Sequence, residues 1–451
     1  MLDFLFNLGS FIVALSILVT IHEYGHFWVA RKAGVKVLRF SIGFGKPIIR
    51  WYDKRGTEYV IAMIPLGGYV KMLDERVDDV DPQERHLSFN SKSVYSRIAI
   101  VSAGPLANFL FAIVALALMY VIGVQSPKPI VGDVQPQSLA AAAGIKAGDQ
   151  LIAIGSQETQ DWQEVTIALV QHIGDDSVSV KVQSESGSHS IRSLSLRNWT
   201  LDERDGTPLN SIGITPFRPE VTLALAMVAP DSPAQNAGLQ KGDVLLSVNG
   251  ELIKSWQSLV DIIERSANTP MDFYIMRGKT GMDVRVTPAN KPNENGFSRG
   301  YLGVVPQVEA WPEEAILTRS YNPLEAVALG AAKTWQMVSV SFEMIANFIT
   351  GQVSIKNISG PVGIAVGAGT SVSYGFVAFL QFLAWISVSL GVFNLLPLPV
   401  LDGGHLMYYL IELIRKKPVS EKTQEIGFRI GATLLLALTA FALLNDIGRL
   451  G

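Results

Sequence analysis

Residues 4–26 read FLFNLGSFIVALSILVTIHEYGH. No Asp, Glu, Lys or Arg interrupts the run to Ile21, and it closes in His22-Glu23-Tyr24-Gly25-His26. Side chains four apart on a helix share a face, so both imidazoles can bind one Zn²⁺. Glu23 sits beside them and can act as a base on metal-activated water. The run is long enough to enter a bilayer, where ionisable groups are costly and usually functional. The pattern therefore predicts a hydrolytic metal site inside a membrane helix. The competing reading is a pair of helix-surface histidines at the membrane interface.

The rest of the chain frames that site. Its 451 residues and mean hydropathy of +0.28 suggest several domains, part of them in lipid. Charges crowd the middle and nearly vanish from four stretches. A net charge of −3 gives no reason to expect nucleic acid. Cysteine is absent, which excludes disulfides, thiolate ligands and a cysteine nucleophile. Asp3 stands where a signal peptide would carry basic residues, and no small-residue cleavage site follows. The first segment reads as a retained membrane helix.

Four spans are expected, at about 4–29, 98–124, 376–396 and 426–445. The uncharged stretch between Lys356 and Asp402 is long enough for two, but 360–375 is rich in Gly and Ser, so one is placed there. Arg429 must snorkel near the start of the fourth. Arg31, Lys32, Lys36, Arg39, Lys46, Arg50, Lys54 and Arg55 follow the first span; Arg415, Lys416, Lys417 and Lys422 follow the third. The positive-inside rule makes 31–96 and 397–425 cytoplasmic, and puts 128–321 and both termini on the far side. At the rise of an α-helix His22 lies about 27 Å beyond Phe4, near the cytoplasmic edge of the hydrocarbon.

The far-side region repeats itself. Pro136, Ser138, Gly144, Gly148, Asp149 and Trp162 match Pro230, Ser232, Gly238, Gly242, Asp243 and Trp256 at a constant offset of 94. Strand-like alternation follows at 178–182 and 273–276, with 212–214 and 302–304 as expected terminal strands. This resembles tandem PDZ domains of the bacterial protease type, at 127–220 and 221–308. PDZ domains accept peptide termini along a sheet edge; spacer domains with vestigial grooves are the alternative.

Two histidines leave a catalytic zinc site one protein ligand short. His86, His172 and His189 lie in charged, soluble-looking regions. Asp402 is the first acidic residue after the long uncharged stretch, and Pro397 and Pro399 can turn the chain back before it. Spacing alone leaves Asp402 open between a metal ligand and the N-cap of a helix over 403–414. His405 is the nearest rival ligand.

His-Glu-x-x-His in the first span, with Asn394-x-x-Pro397-x-x-x-x-Asp402-Gly403 after the third, resembles the site-2 protease family of intramembrane zinc proteases. The paired PDZ-like units between the second and third spans point to its bacterial members. The resemblance covers essentially the whole chain, without departure at these positions. It implies one Zn²⁺ held by His22, His26 and Asp402, with Glu23 as general base and Asn394 on the substrate backbone or developing oxyanion. Pro397 and Gly403 would support that loop, and Gly104 and Asn108 would pack the second span on the first.

It further implies a monomeric multi-pass protein of the bacterial inner membrane, with the PDZ pair and both termini periplasmic. Substrates would be single-span membrane proteins: a pre-trimmed anti-sigma factor in an envelope stress response, and remnant signal peptides. The PDZ pair would act as a size filter. A membrane-anchored PDZ adaptor with a structural metal site is the rival from another class.

Two more segments carry expectations. Residues 61–72, too short and broken to span, suit a membrane-associated β-hairpin at about 57–72. The resemblance gives Gly67, Gly68 and Tyr69 there a role in pairing with substrate; an interfacial turn packed on the first helix is the alternative. Residues 322–358 read as an amphipathic helix on the outer membrane surface or packed on the PDZ pair. The expected fold is thus a polytopic α-helical membrane protein with four transmembrane helices, two inserted extracytoplasmic α+β PDZ domains and a membrane-associated β-hairpin.

Overall fold

A computed structural model describes residues 2–76, 79–197, 199, 207–291, 298–350 and 360–450. The chain divides into two units, 1–124 with 319–450, and 125–318. The first unit opens with helix α1 (Leu2–Lys32). Arg31 and Lys32 in its last turn complement the helix dipole. Gly34, at φ +73°, stops it: the next amide, Val35 N–H, folds back onto the Ala30 carbonyl at 2.9 Å.

Two long strands follow, β1 (Val37–Tyr52) and β2 (Glu58–Met72). Asp53 organises their connection, accepting from the amides of Arg55 (2.9 Å) and Thr57 (3.0 Å) and pairing with Arg31 of α1. The expected hairpin at 57–72 is a larger sheet. Arg39, Phe40, Ser41 and Ile42 pair with Lys71, Val70, Tyr69 and Gly68 on one side. The same four pair with Glu58, Tyr59, Val60 and Ile61 on the other. Residues 57–72 carry no tight turn of their own, so they bend at Gly67 (φ +141°) around a partner strand supplied from upstream. Phe27, Phe40 and Tyr59 stack edge to face and hold this sheet on α1. Its far end leaves Ile48, Tyr52 and Met63 more than 60% exposed, an apolar surface suited to lipid. Helix α2 (Val94–Ile122) then starts on Ser93, whose hydroxyl accepts from Ser96 N–H at 3.2 Å, and contains Pro105.

The second unit contains two similar layouts. In the first, strands 150–154, 177–183 and 189–195 form a sheet, 131–134 pairs with 214–216, and helices α3 (Leu139–Ala142), α4 (Trp162–Gln171) and α5 (Pro208–Ser211) complete it. In the second, strands 280–286, 271–277, 244–248, 221–228 and 304–308 lie in that order with helices α6 (Pro233–Asn236) and α7 (Trp256–Arg265). Each layout has its own core, around Leu151, Val165 and Leu194 in one and Leu245, Leu259 and Phe273 in the other.

The repeated residues have repeated jobs. Ser138 and Ser232 cap α3 and α6, each accepting an amide at 3.2 Å. Asp149 and Asp243 accept from Lys146 N–H (2.9 Å) and Gln240 N–H (2.8 Å). The terminal strands begin at Ile214 and Val304; the Gly213 and Gly303 before them have φ near +80° and pass so close to Ser138 and Ser232 that a Cβ would collide.

The chain returns to the first unit through helix α8 (Pro323–Thr350). Asn322 caps it, accepting from Leu324 and Glu325 N–H at 3.1 and 3.0 Å. Within the first unit it packs on α2. Gly330 presses on the Ile113 carbonyl of α2, and Met337, Val338 and Ile345 join the core between α2 and the third span. Its small and apolar face matches the bare flank of α2, while Leu324 and Trp335 stay exposed. Residues 351–359 lie outside the described residues.

The Gly- and Ser-rich 360–375 is helical too, as α9 (Pro361–Ser373), too short to be a span. Pro361 starts it, and Asp446 accepts from the amides of Gly360, Val362 and Gly363 at its N-terminus. Helices α10 (Phe376–Leu395), α11 (Asp402–Arg415) and α12 (Glu421–Leu450) finish the chain. By length and composition, four helical stretches can cross a membrane among the described residues: Phe4–Lys32, Val94–Ile122, Phe376–Leu395 and Glu421–Asp446.

Candidate metal centre

His22 and His26 stand one turn apart on the buried face of α1, their ring centroids 4.8 Å apart and their Nε2 atoms 3.2 Å apart. They are 9% and 8% exposed, so they are not a surface pair. Helix α2 crosses directly behind them. Gly25 meets the Ala103 carbonyl, and a Cβ on Gly104 would collide with His26 Nε2 and His22 Cε1. Small residues let the two helices approach this closely.

Asp402 reaches the same point from the other end of the chain. After α10, Leu398 N–H bonds the Leu396 carbonyl (2.7 Å) and Leu401 N–H bonds the Leu398 carbonyl (2.8 Å), a tight return around Pro397. Gly403 and Gly404 sit against the carbonyls of 395, 396 and 398 with no room for a side chain. Asp402 is the first residue of α11, and its carboxylate makes no cap; Leu401 holds the cap position. Instead Asp402 Oδ2 lies 3.1 Å from His22 Nε2 and 3.3 Å from His26 Nε2. A bidentate ion pair from Arg97 of α2 to Glu412 (3.1 and 2.7 Å), with the Arg97 guanidinium over the Tyr409 ring, holds α11 in place. These partners stand 315 residues apart, and nothing in the sequence links them.

The three donors fit a metal. Donors about 2.0–2.1 Å from a tetrahedral zinc stand about 3.3–3.4 Å from one another, and these stand at 3.1–3.3 Å. Asp402 Oδ2 is buried, and among the described residues its only near polar neighbours are the two imidazole nitrogens. Two imidazolium groups could not share this space, because their N–H groups would oppose each other at 3.2 Å. Three lone pairs turned on one point call for a cation there.

A cavity of about 650 Å³ opens at the triad and includes Glu23. Residues 68–72 form one wall. Gly68 has no side chain because Glu23 Cγ, Val19 and the Ser41 carbonyl would meet its Cβ at about 3 Å. Tyr69 lines the same wall; Gly67 does not, and turns against the Phe44 ring instead. Asn394, half-buried in the last turn of α10, is also absent from the lining. Residues that sequence reasoning did not single out complete it, among them Asp74, Arg76, Phe89, Tyr409 and Gln424. His405 joins them one turn past Asp402 rather than at the triad, and burial pushes its imidazole below the usual value.

A family model described as Peptidase family M50 matches residues 10–438. Protease RseP of Yersinia pestis is 49% identical over 452 residues, covering 100% of both chains. Regulator of sigma-E protease RseP of Escherichia coli (strain K12) is 47% identical, again over 100% of both. A putative zinc metalloprotease of Vibrio cholerae is 43% identical with the same coverage. Among solved structures, a PDZ domain of an SdrC-like protein from Listeria monocytogenes covers 20% of this chain and 92% of its own, at 19% identity and a TM-score of 0.17. A score that low bears on no part of the fold.

Proposed function

This chain belongs to Peptidase family M50, the site-2 proteases, and is a metalloprotease; from that premise we propose that it is an intramembrane zinc endopeptidase. The observation that carries this reading is the convergence of His22, His26 and Asp402, with Glu23 and an open strand edge on the same cavity. In this reading the three residues bind one Zn²⁺. When bound, zinc would supply a Lewis acid for the scissile carbonyl and lower the pKa of water. Glu23, on the same cavity, would take a proton from the attacking water and deliver it to the leaving amine. Asn394, one turn before the Asp402 loop, is assigned to the substrate backbone or developing oxyanion, a contact that substrate binding would have to bring about.

A peptide must be extended to be cut. Among the described residues, Gly68, Tyr69 and Val70 have strand partners on one side only, and they line the cavity. A substrate segment adding there as a strand would lie beside Glu23. Gly104, Pro397 and Gly403 keep the elements close enough for this geometry, and Gly67 makes the bend that frees the edge.

The wider reading places the protein in a bacterial inner membrane as a monomer, with basic segments 31–96 and 397–425 cytoplasmic and both termini periplasmic. The layouts at 127–220 and 221–308 are assigned as periplasmic PDZ domains that filter substrates by size. Two relatives are named for sigma-E regulation or as RseP, which favours a single-span, pre-trimmed anti-sigma-E factor as substrate. Remnant signal peptides share its single-span chemistry. The test is cleavage of a trimmed single-span substrate by the purified full chain. Glu23→Gln should abolish cleavage while zinc content holds, and full activity in that variant would overturn the mechanism.

A further inference from the structure

We propose that Asn108 is a positioning residue for the metal site: its side-chain oxygen accepts the Nδ1–H of His22 and thereby turns the ring's Nε2 lone pair inward. The inference rests on the zinc reading above. A ring that ligates through Nε2 carries its hydrogen on Nδ1, and the partner of that hydrogen sets tautomer and orientation. For His26 the partner is unambiguous, since its Nδ1 lies 2.8 Å from the Ile100 carbonyl, which can only accept.

For His22 the partner is the Asn108 amide, whose nitrogen stands 3.1 Å from Nδ1 while its oxygen, fully buried, has no partner among the described residues. A nitrogen donor there would occupy the Nδ1 lone pair. The ring hydrogen would then sit on Nε2, pointing at His26 and at Asp402, and the ring would not ligate. Amide nitrogen and oxygen exchange places by a half-turn. That half-turn gives the orphaned oxygen a donor and gives His22 the tautomer that metal binding needs.

The fold supplies this contact deliberately from one helix. Ile100, Gly104 and Asn108 follow one another at single-turn spacing on α2. The outer two hold the rings, and the glycine between them leaves room for the rings. Pro105 within the same turn has no N–H to give the helix ladder. From the opposite side Ser387 of α10, itself fully buried, donates to the main-chain carbonyl of Asn108 at 2.9 Å and fixes this turn of α2.

The test compares zinc affinity, by chelator competition on the purified full chain, for wild type, Asn108→Leu and Asn108→Asp. Leu has nearly the same volume but no acceptor; Asp keeps an acceptor in place. Loss of a hydrogen-bond partner of a metal-ligating histidine typically costs about 10–100-fold in metal affinity. Asn108→Leu should lose that much, and Asn108→Asp should stay within a few-fold of wild type. A purely packing role predicts the reverse order, so an Asn108→Leu variant that binds like wild type, or an Asp variant that loses as much as Leu, overturns the inference. Thermal unfolding of the metal-free variants separates lost affinity from lost folding. If wild type itself binds no zinc, the zinc reading fails; if wild type binds and Asn108→Leu matches it, only the role of Asn108 fails.

Discussion

Asp149 and Asp243 of the 125–318 unit and Asp402 of the helical unit set buried carboxylate oxygens in opposite surroundings. In the 125–318 unit, Asp149 and Asp243 are 7% and 0% exposed, and each accepts an amide of its own loop. Asp243 also takes two hydrogen bonds from Arg277, at 2.7 and 2.8 Å. In the helical unit, Asp402 Oδ2 is buried and, among the described residues, faces only two imidazole nitrogens. A carboxylate supplied with donors holds a loop. One deprived of them is expensive unless a cation completes it. Burial of an acid therefore says little; what the acid is given to face separates a structural group from a chemical one.

The contrast is breakable. The largest effect should come at Glu23, where Glu23→Gln is expected to lower the cleavage rate by about 10²–10⁴-fold, the usual contribution of a general base. Fluorescence or gel assays on a single-span substrate measure it, and zinc content should not move. Next comes Asp402→Ala, which should lose zinc more severely than the 10–100-fold typical of a supporting residue, and dialysis against chelator should reproduce its inactivity in wild type. Gly104→Ala should also lose zinc, since the added methyl collides with both imidazoles while α2 stays helical by circular dichroism.

The opposite side of the comparison predicts stability without chemistry. Burial pushes the Asp243 carboxyl up, but Arg277 and the Gln240 amide outweigh it and hold the group below its ordinary value. A lowered folded value means the contribution is complete at neutral pH. It fades as pH falls below the unfolded carboxyl value of about 3.9 and through the lower folded one. Arg277→Ala should destabilise the second layout, less than breaking a fully buried pair would because Arg277 is partly exposed, and should flatten its acid unfolding. Hydrogen exchange over 221–308 reads this out, with zinc affinity unchanged. The smallest effect belongs to Asp149→Asn. At the constant offset the strand residue matching Arg277 is Gln183, so no guanidinium is stranded and about 1 kcal/mol is expected. A larger loss at Asp149 than at Arg277 would contradict this division of labour.

Legibility followed the range of each interaction. His22 and His26 are four apart on one helix, so their shared face was readable from spacing. Asp402 was not settled by spacing, because a carboxyl ahead of a helix caps or ligates equally well on paper. The return loop and the crowding at Gly403 and Gly404 turn it toward α1. The edge at Gly68 was readable as a short apolar segment, but its partner over 39–42 was not. Only Phe40 and Ile42 among them are apolar, and they lie beyond a second, competing strand over 58–61. The glycines of 360–375 suggested a break in the helix pattern, yet Pro361 and the Asp446 carboxylate start α9 regardless. The Arg97–Glu412 clamp joins two residues with no local pattern at all.

The open side of Gly68, Tyr69 and Val70 has one more consequence. If that edge lies at hydrocarbon depth as proposed, lipid against its unpaired backbone groups would cost several kcal/mol each, and the proposed site would need water there. A segment arriving there would trade its own helical hydrogen bonds for ladder bonds and release water, so the bilayer is hardly a party to the exchange. In the proposed reading, proteolysis there would be an aqueous reaction in a pocket of imported solvent, with selectivity set by how cheaply a given segment gives up its helix.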